Sequence, residues 1–189
     1  MPSAETFRAV RRLLFGTPGA HAYAVLDGAS VPDLVDRLAR DKPEHWCLFP
    51  GELAPDMAEV APYVFRLEPE SPLERWVIEE GWGRHWGIFA VTPADLRRMR
   101  AHWRQFMMVE APDGRALYFR FYDPRVLAVY LPTCNGEETE RFFGPVEAYV
   151  MESSEEKDSV LVFRPGPNAP VGQVVRCRPA VETGPGGGS

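Results

Sequence analysis

A β-prone run that ends on an Asp-Pro step constrains this chain most. In Ala116-Leu117-Tyr118-Phe119-Arg120-Phe121-Tyr122-Asp123-Pro124-Arg125-Val126-Leu127, the residues Leu117, Phe119 and Phe121 alternate with Tyr118, Arg120 and Tyr122. A period of two sets an apolar row against a core and turns an amphipathic row the other way. Asp123 then reads as a helix N-cap whose carboxylate accepts from the free N–H groups of the first turn. Pro124 follows at the first helical position, where a missing N–H costs nothing. The stretch is expected to form a strand-to-helix corner with charge on both sides.

The elements before this corner follow from periodicity and caps. Phe7, Val10, Leu13 and Leu14 share a helical face, with Arg8, Arg11 and Arg12 spread over a solvated side that is alternatively a binding face; Gly16 and Pro18 end the helix. Strands are expected at residues 22–26, 45–49, 63–67 and 87–91. Ser30, Ser71 and Thr92 each read as a helix cap, with Asp33, Glu74 and Asp95 at the reciprocal position and Gly81 as the stop of the second helix. Leu96, Met99, Trp103 and Phe106 recur at steps of three, four and three, which fixes a core face. Arg97, Arg100 and Arg104, with Arg98 and His102, occupy the other side as a solvated basic face that could meet an acidic partner.

Residues 107–110 and 116–122 are expected to pair as a hairpin about Pro112-Asp113-Gly114. A short helix through Leu131 and a helix over 135–143 follow, and 147–151 with 160–163 read as a second hairpin joined by an exposed, charged 153–158. From Pro165 on, eleven of twenty-five residues are Pro or Gly, a composition expected of a mobile tail. The fold expected is α/β or α+β. Residues 1–164 form one domain, a mixed β-sheet flanked by helices with an additional C-terminal β-hairpin, and 165–189 a disordered tail.

Charge and motifs narrow the function. Across 189 residues, 21 Lys and Arg against 27 Asp and Glu leave a net charge of −6, which argues against a nucleic-acid partner or an anionic membrane surface. Three cysteines without C-x-x-C spacing, and no apolar run near the ~20 residues of a membrane span, fit a reducing cytoplasm. No G-x-S-x-G elbow, H-E-x-x-H pair, Walker loop or G-x-G-x-x-G turn occurs, and Gly81-Trp82-Gly83 lacks the third glycine of a dinucleotide site. No cofactor, metal or catalytic residue is therefore expected. Asp27, Arg120, Asp123 and Arg125 remain as polar residues near strand ends. They either brace the corner, with Arg120 or Arg125 bridging to Asp27, or line an acid/base pocket. Trp82, His85 and Trp86 read as core or rim aromatics, and aromatics near arginine also suit interface anchors.

Four blocks carry a family resemblance: Tyr23-Ala24-Val25-Leu26-Asp27-Gly28-Ala29, His85-Trp86-Gly87-Ile88-Phe89, Phe119-Arg120-Phe121-Tyr122-Asp123-Pro124-Arg125-Val126-Leu127, and Phe142-Phe143-Gly144-Pro145. In this order, over roughly residues 20–145, the chain resembles the domain of unknown function 4123, the adaptor chaperones of bacterial type VI secretion. The resemblance implies a non-enzymatic protein that holds an effector in the donor cytoplasm and helps load it onto the spike, either the valine-glycine repeat protein or its tip. Asp27, Trp82, Trp86, Arg120, Tyr122, Asp123, Arg125, Phe142 and Phe143 are the protein-binding or motif residues so implied, beside the Arg97, Arg100 and Arg104 face. A small-molecule enzyme using Asp27, Asp123 and Arg125, or a structural subunit of the secretion assembly, are the alternatives.

Overall fold

Near-continuous apolar runs in the central strands, as in residues 22–26 and 88–91, put apolar side chains on both faces of one sheet, so both faces need a cover. The computed structural model describes residues 1–110, 113–154 and 158–177. Its elements in order are α1 (Ala4–Phe15), β1 (His21–Asp27), α2 (Leu34–Asp41), β2 (His45–Cys47), α3 (Pro55–Val60), β3 (Pro62–Leu67), α4 (Pro72–Gly81) and β4 (Gly87–Thr92). There follow α5 (Leu96–Arg104), β5 (Met108–Glu110), β6 (Ala116–Tyr118), α6 (Pro124–Tyr130), a 3-10 turn (Leu131–Thr133), α7 (Gly136–Phe143), β7 (Ala148–Glu152), β8 (Ser159–Arg164) and β9 (Val171–Arg176). Among the described residues seven strands form one sheet in the order β2-β3-β1-β4-β7-β8-β9, and β5 pairs with β6 in a separate two-stranded sheet. Every pairing is antiparallel. The chain is thus α+β with helices on both faces, and its sheet is antiparallel, where a mixed sheet was expected.

Strand alternation divides the core in two. Ala22, Ala24 and Leu26 of β1 face α1, α2 and α4, whereas Tyr23 and Val25 face α5, α6 and α7. Trp103 of α5 is fully buried on the second face and gives its indole N–H to the Tyr149 hydroxyl at 3.1 Å. Tyr23 reaches the Ala94 carbonyl at 3.0 Å. Burying a polar tip with a partner lets these large rings contribute roughly 1.5–3 kcal/mol each without stranding a donor.

Local readings hold where a cap decides them. Ser71 accepts from the Glu74 N–H at 3.1 Å, Asp123 caps α6, and Asn135 with Glu138 forms a full capping box on α7. Other expectations change. Ser30 caps nothing, because its hydroxyl donates to Asp27 at 2.7 Å; α2 starts after Asp33 at φ 56°. Asp95, not Thr92, caps α5: it accepts from the Arg98 N–H at 2.7 Å, whereas buried Thr92 gives its hydroxyl to the Pro145 carbonyl at 2.7 Å and accepts from the Ala94 N–H at 3.1 Å, before the helix begins. The strand expected over 116–122 stops at Tyr118, and Phe121 and Tyr122 both turn into the core. The second hairpin is no addition, since β7 and β8 extend the main sheet. Part of the expected tail is ordered as β9, which pairs with β8; residues 178–189 lie outside the described residues, as do 155–157 of the expected exposed connection.

Arg11 is not part of a solvated basic face. Its Nε donates at 2.6 Å to Glu74, whose side chain is fully buried in α4, and the other Glu74 oxygen accepts from the Glu70 N–H at 2.5 Å. The pair pins α1 to α4. Arg11→Met leaves that carboxylate without its cation and is expected to cost about 3 kcal/mol in urea unfolding. Adding Glu74→Leu should restore a large part of the loss; equal stability of wild type and Arg11→Met would refute the role of the pair.

Candidate functional site

The sequence-selected polar residues do meet, at the sheet end where β1 and β7 finish and β4 begins. Asp27 is the last residue of β1, with a side chain 3 % exposed. Its carboxylate accepts from Arg120 at 2.5 Å, from Ser30 Oγ at 2.7 Å and from the Ala29 N–H at 3.2 Å. Asp123, 6 % exposed, takes both arms of the Arg125 guanidinium, at 3.0 and 2.7 Å, and the Arg125 backbone N–H at 3.0 Å. Arg120 therefore bridges to Asp27 and Arg125 to Asp123. Tyr122 packs beside them, and burial first, then the Asp27 charge, push its hydroxyl pKa up to about 12. It stays a neutral phenol at physiological pH.

A third buried carboxylate lies at the same sheet end. Glu152 ends β7 with a side chain 7 % exposed, and accepts from the backbone N–H groups of Gly83 and, at 2.6 Å, His85. The His85 ring nitrogen Nδ1 also sits 2.6 Å away. Gly83 and His85 adopt φ of 82° and 57°, and the bent loop brings their two N–H groups onto one carboxylate while the Arg84 N–H between them bonds the Gly81 carbonyl. Trp82 and Trp86 flank this loop. Trp86 is core, 4.9 Å from Trp76, and half-buried Trp82 stacks on Phe89.

Most residues proposed as binders are framework. Phe142 and Phe143 are buried, with Phe142 in ring contact with Phe106, Phe121, Tyr130 and Tyr149. On the basic face, Arg97 is exposed, Arg104 is half-buried, and Arg100 lies over the Trp46 ring of β2 at 4.4 Å. Arg100 thus closes a tertiary contact. Among the described residues no group of three or more His, Cys, Asp or Glu side chains is placed to hold a metal, and no helix is long and apolar enough to cross a membrane.

One stretch of exposed apolar surface lies on β5 and β6. Met108, Val109, Leu117 and Tyr118 are 45, 40, 44 and 67 % exposed, and Val129 of α6 is 73 % exposed. Beside β5 runs a hollow of about 620 Å³ floored by Phe106, Phe119 and Tyr130, with Glu110, Glu138 and Arg141 at its rim. The floor is rigid, since Phe119 meets Tyr130 edge-on at 4.7 Å and Phe106 reaches Phe142 at 5.0 Å. An apolar centre with a polar rim is the layout of a protein-binding surface. Reading 116–122 as one alternating strand hid it, because that reading assigned Leu117 to the core. The available signal was apolar Met108 next to Val109, which a two-stranded ribbon cannot bury on both faces.

A family described as Domain of unknown function (DUF4123) matches residues 22–141. The chain belongs to this family. Neither the curated proteins nor the solved structures compared with it include a significant match. In this DUF4123 chain the matched span contains the whole Asp27–Arg120–Asp123–Arg125 corner and every residue lining the hollow beside β5.

Acid titration tests the corner. Burial works to raise the Asp123 pKa, but hydrogen bonds from the Arg125 side chain and backbone, with the Arg125 and Arg120 charges, outweigh it and hold the carboxyl below its ordinary range. A depressed folded pKa contributes stability that is present above the unfolded value, near ~4, and is lost as pH falls through the folded one. Asp123→Ala is expected to lower stability by about 1–2 kcal/mol at pH 7. Thermal melts between pH 7 and pH 2 should show the gap to wild type narrowing below about pH 4; a gap independent of pH would refute the assignment.

Proposed function

We propose that this DUF4123 chain is a non-enzymatic adaptor chaperone that binds a type VI secretion effector in the donor cytoplasm and promotes its loading onto the secretion spike, at the valine-glycine repeat protein or its tip. The observation that carries this reading is the exposed apolar surface of β5 and β6 beside an aromatic-floored hollow. Binding there rests on apolar anchors, with the charged rim selecting the partner.

The state of the sheet-end groups supports the same reading. Asp27 and Asp123, the residues an acid/base mechanism would use, are engaged by Arg120 and Arg125. Such pairing fits a brace between β1 and α6 better than a reactive site, which needs a group left poised for a substrate. The type VI role itself comes from the resemblance carried by the Phe119-Arg120-Phe121-Tyr122-Asp123-Pro124-Arg125 run.

Co-expression with the effector encoded beside it is the direct test. The chain should co-purify with that effector, and its deletion should lower effector solubility and secretion. Val109→Asp with Tyr118→Asp should abolish co-purification while the thermal melt stays within a few degrees of wild type. Absence of any complex, with effector solubility and secretion unchanged on deletion, would overturn the adaptor reading. Recovery of the chain with the secreted spike would instead make it an assembly subunit.

A further inference from the structure

The hollow beside β5 is shaped by a strand edge. Met108, Val109 and Glu110 are consecutive, and all three line it. Successive side chains of a strand point to opposite faces, so three consecutive liners mean that the hollow runs along the edge of β5 rather than over one face. The other edge is occupied by β6, in the register Met108–Tyr118, Val109–Leu117 and Glu110–Ala116.

The ladder fixes which backbone groups look into the hollow. Phe119 N–H donates to the Met107 carbonyl at 3.0 Å, one step beyond Met108–Tyr118 in the same register. Hydrogen-bonded and non-hydrogen-bonded pairs alternate in an antiparallel ribbon. Val109–Leu117 is therefore the next bonded pair, and the N–H and C=O groups of Met108 and Glu110 turn away from β6, toward the hollow. That edge can accept another strand.

Resting on the adaptor reading, we propose that β5 takes an extended segment of the partner protein as a third, added strand of the β5–β6 ribbon. One row of the incoming side chains is apolar and lies on Phe106, Phe119 and Tyr130. The charge of the surroundings sets the flanks. Glu110 and Glu138 stand at the rim against Arg141, whose guanidinium lies over the Phe106 ring at 5.9 Å, and α7 adds exposed Glu137 and Glu140. A segment with alternating apolar residues and lysine or arginine flanks complements this edge; an acidic one is repelled.

The test uses the full chain and a fluorescein-labelled synthetic peptide of alternating valine and threonine with two lysines at each end, beside the same peptide with glutamate flanks. Anisotropy should give a Kd at least tenfold weaker for the glutamate peptide. Met108→Pro removes an outward N–H without touching a bond to β6 and should weaken the lysine peptide at least tenfold. Glu110→Lys should invert the preference between the two peptides. On binding, hydrogen exchange at the Met108 and Glu110 amides should slow at least tenfold, which a helix seated in the hollow would not cause. No binding of the lysine peptide, or binding without that protection, or unchanged affinity in both variants at wild-type melting temperature, overturns the proposal. If the natural effector co-purifies equally with Met108→Pro, strand addition is wrong while the adaptor reading stands. If the peptide binds as described and no effector complex forms, the adaptor reading fails by itself.

Discussion

Three carboxylates, on Asp27, Asp123 and Glu152, are buried at one end of the sheet, and the loops there are shaped by the need to supply them with donors. An unpaired buried carboxylate costs several kcal/mol, so each must be met where the strand or helix delivers it. Asp27 draws in Arg120 and the Ser30 turn, which places the segment after β6 over the end of β1. Asp123 starts α6 and fixes Arg125 on its own first turn. Glu152 curls the loop between α4 and β4 around itself and so sets where β4 begins. The order of the central strands and the position of α6 share this polar joint.

The antiparallel sheet explains why the polar groups collect there. Both faces are covered, by α1, α2 and α4 on one side and α5, α6 and α7 on the other. Neither face has room for an ionised group, as the mutual satisfaction of Trp103, Tyr149 and Tyr23 illustrates. Charge can enter only at strand ends and helix starts, and in this chain most such positions are used structurally. Glu74 follows the same rule, since it lies in the first turn of α4, and it is accommodated because Arg11 reaches it from α1.

What the sequence revealed follows the range of the interactions involved. Caps act over three residues, so Ser71 and Asp123 were legible, and the 3.6-residue period over Leu96, Met99 and Trp103 gave the buried face of α5. Competing local partners were not legible: Thr92 has cap chemistry but spends its hydroxyl on Pro145, fifty-three residues away. Strand order depends on contacts across the chain, whereas the pairing of β9 with β8 is local and was masked by a Pro- and Gly-rich composition. At the site, the polar residues were found but their partners decide their meaning. Arg120 had to be seen on Asp27 and 4.0 Å from Asp123, and Arg125 on Asp123, before the corner read as a brace.

The same joint accounts for why the exposed apolar surface of β5 and β6 is displaced from the motif. Arg120 ties the chain to Asp27 directly after Phe119, β6 ends at Tyr118, and the β5–β6 ribbon stays separate from the seven-stranded sheet. Among the described residues its two strands pair with each other, and Tyr118 meets the Phe49 ring at 5.7 Å, while the rings of Phe119 and Tyr130 continue into the core through Phe142. A lightly held ribbon over a rigid aromatic floor keeps apolar area exposed without loosening the fold beneath it. A ribbon absorbed into the main sheet would bury Met108, Val109 and Leu117 and leave the hollow without a wall. The motif that identifies the family thus works at a distance from the surface it creates, by deciding where a strand must stop.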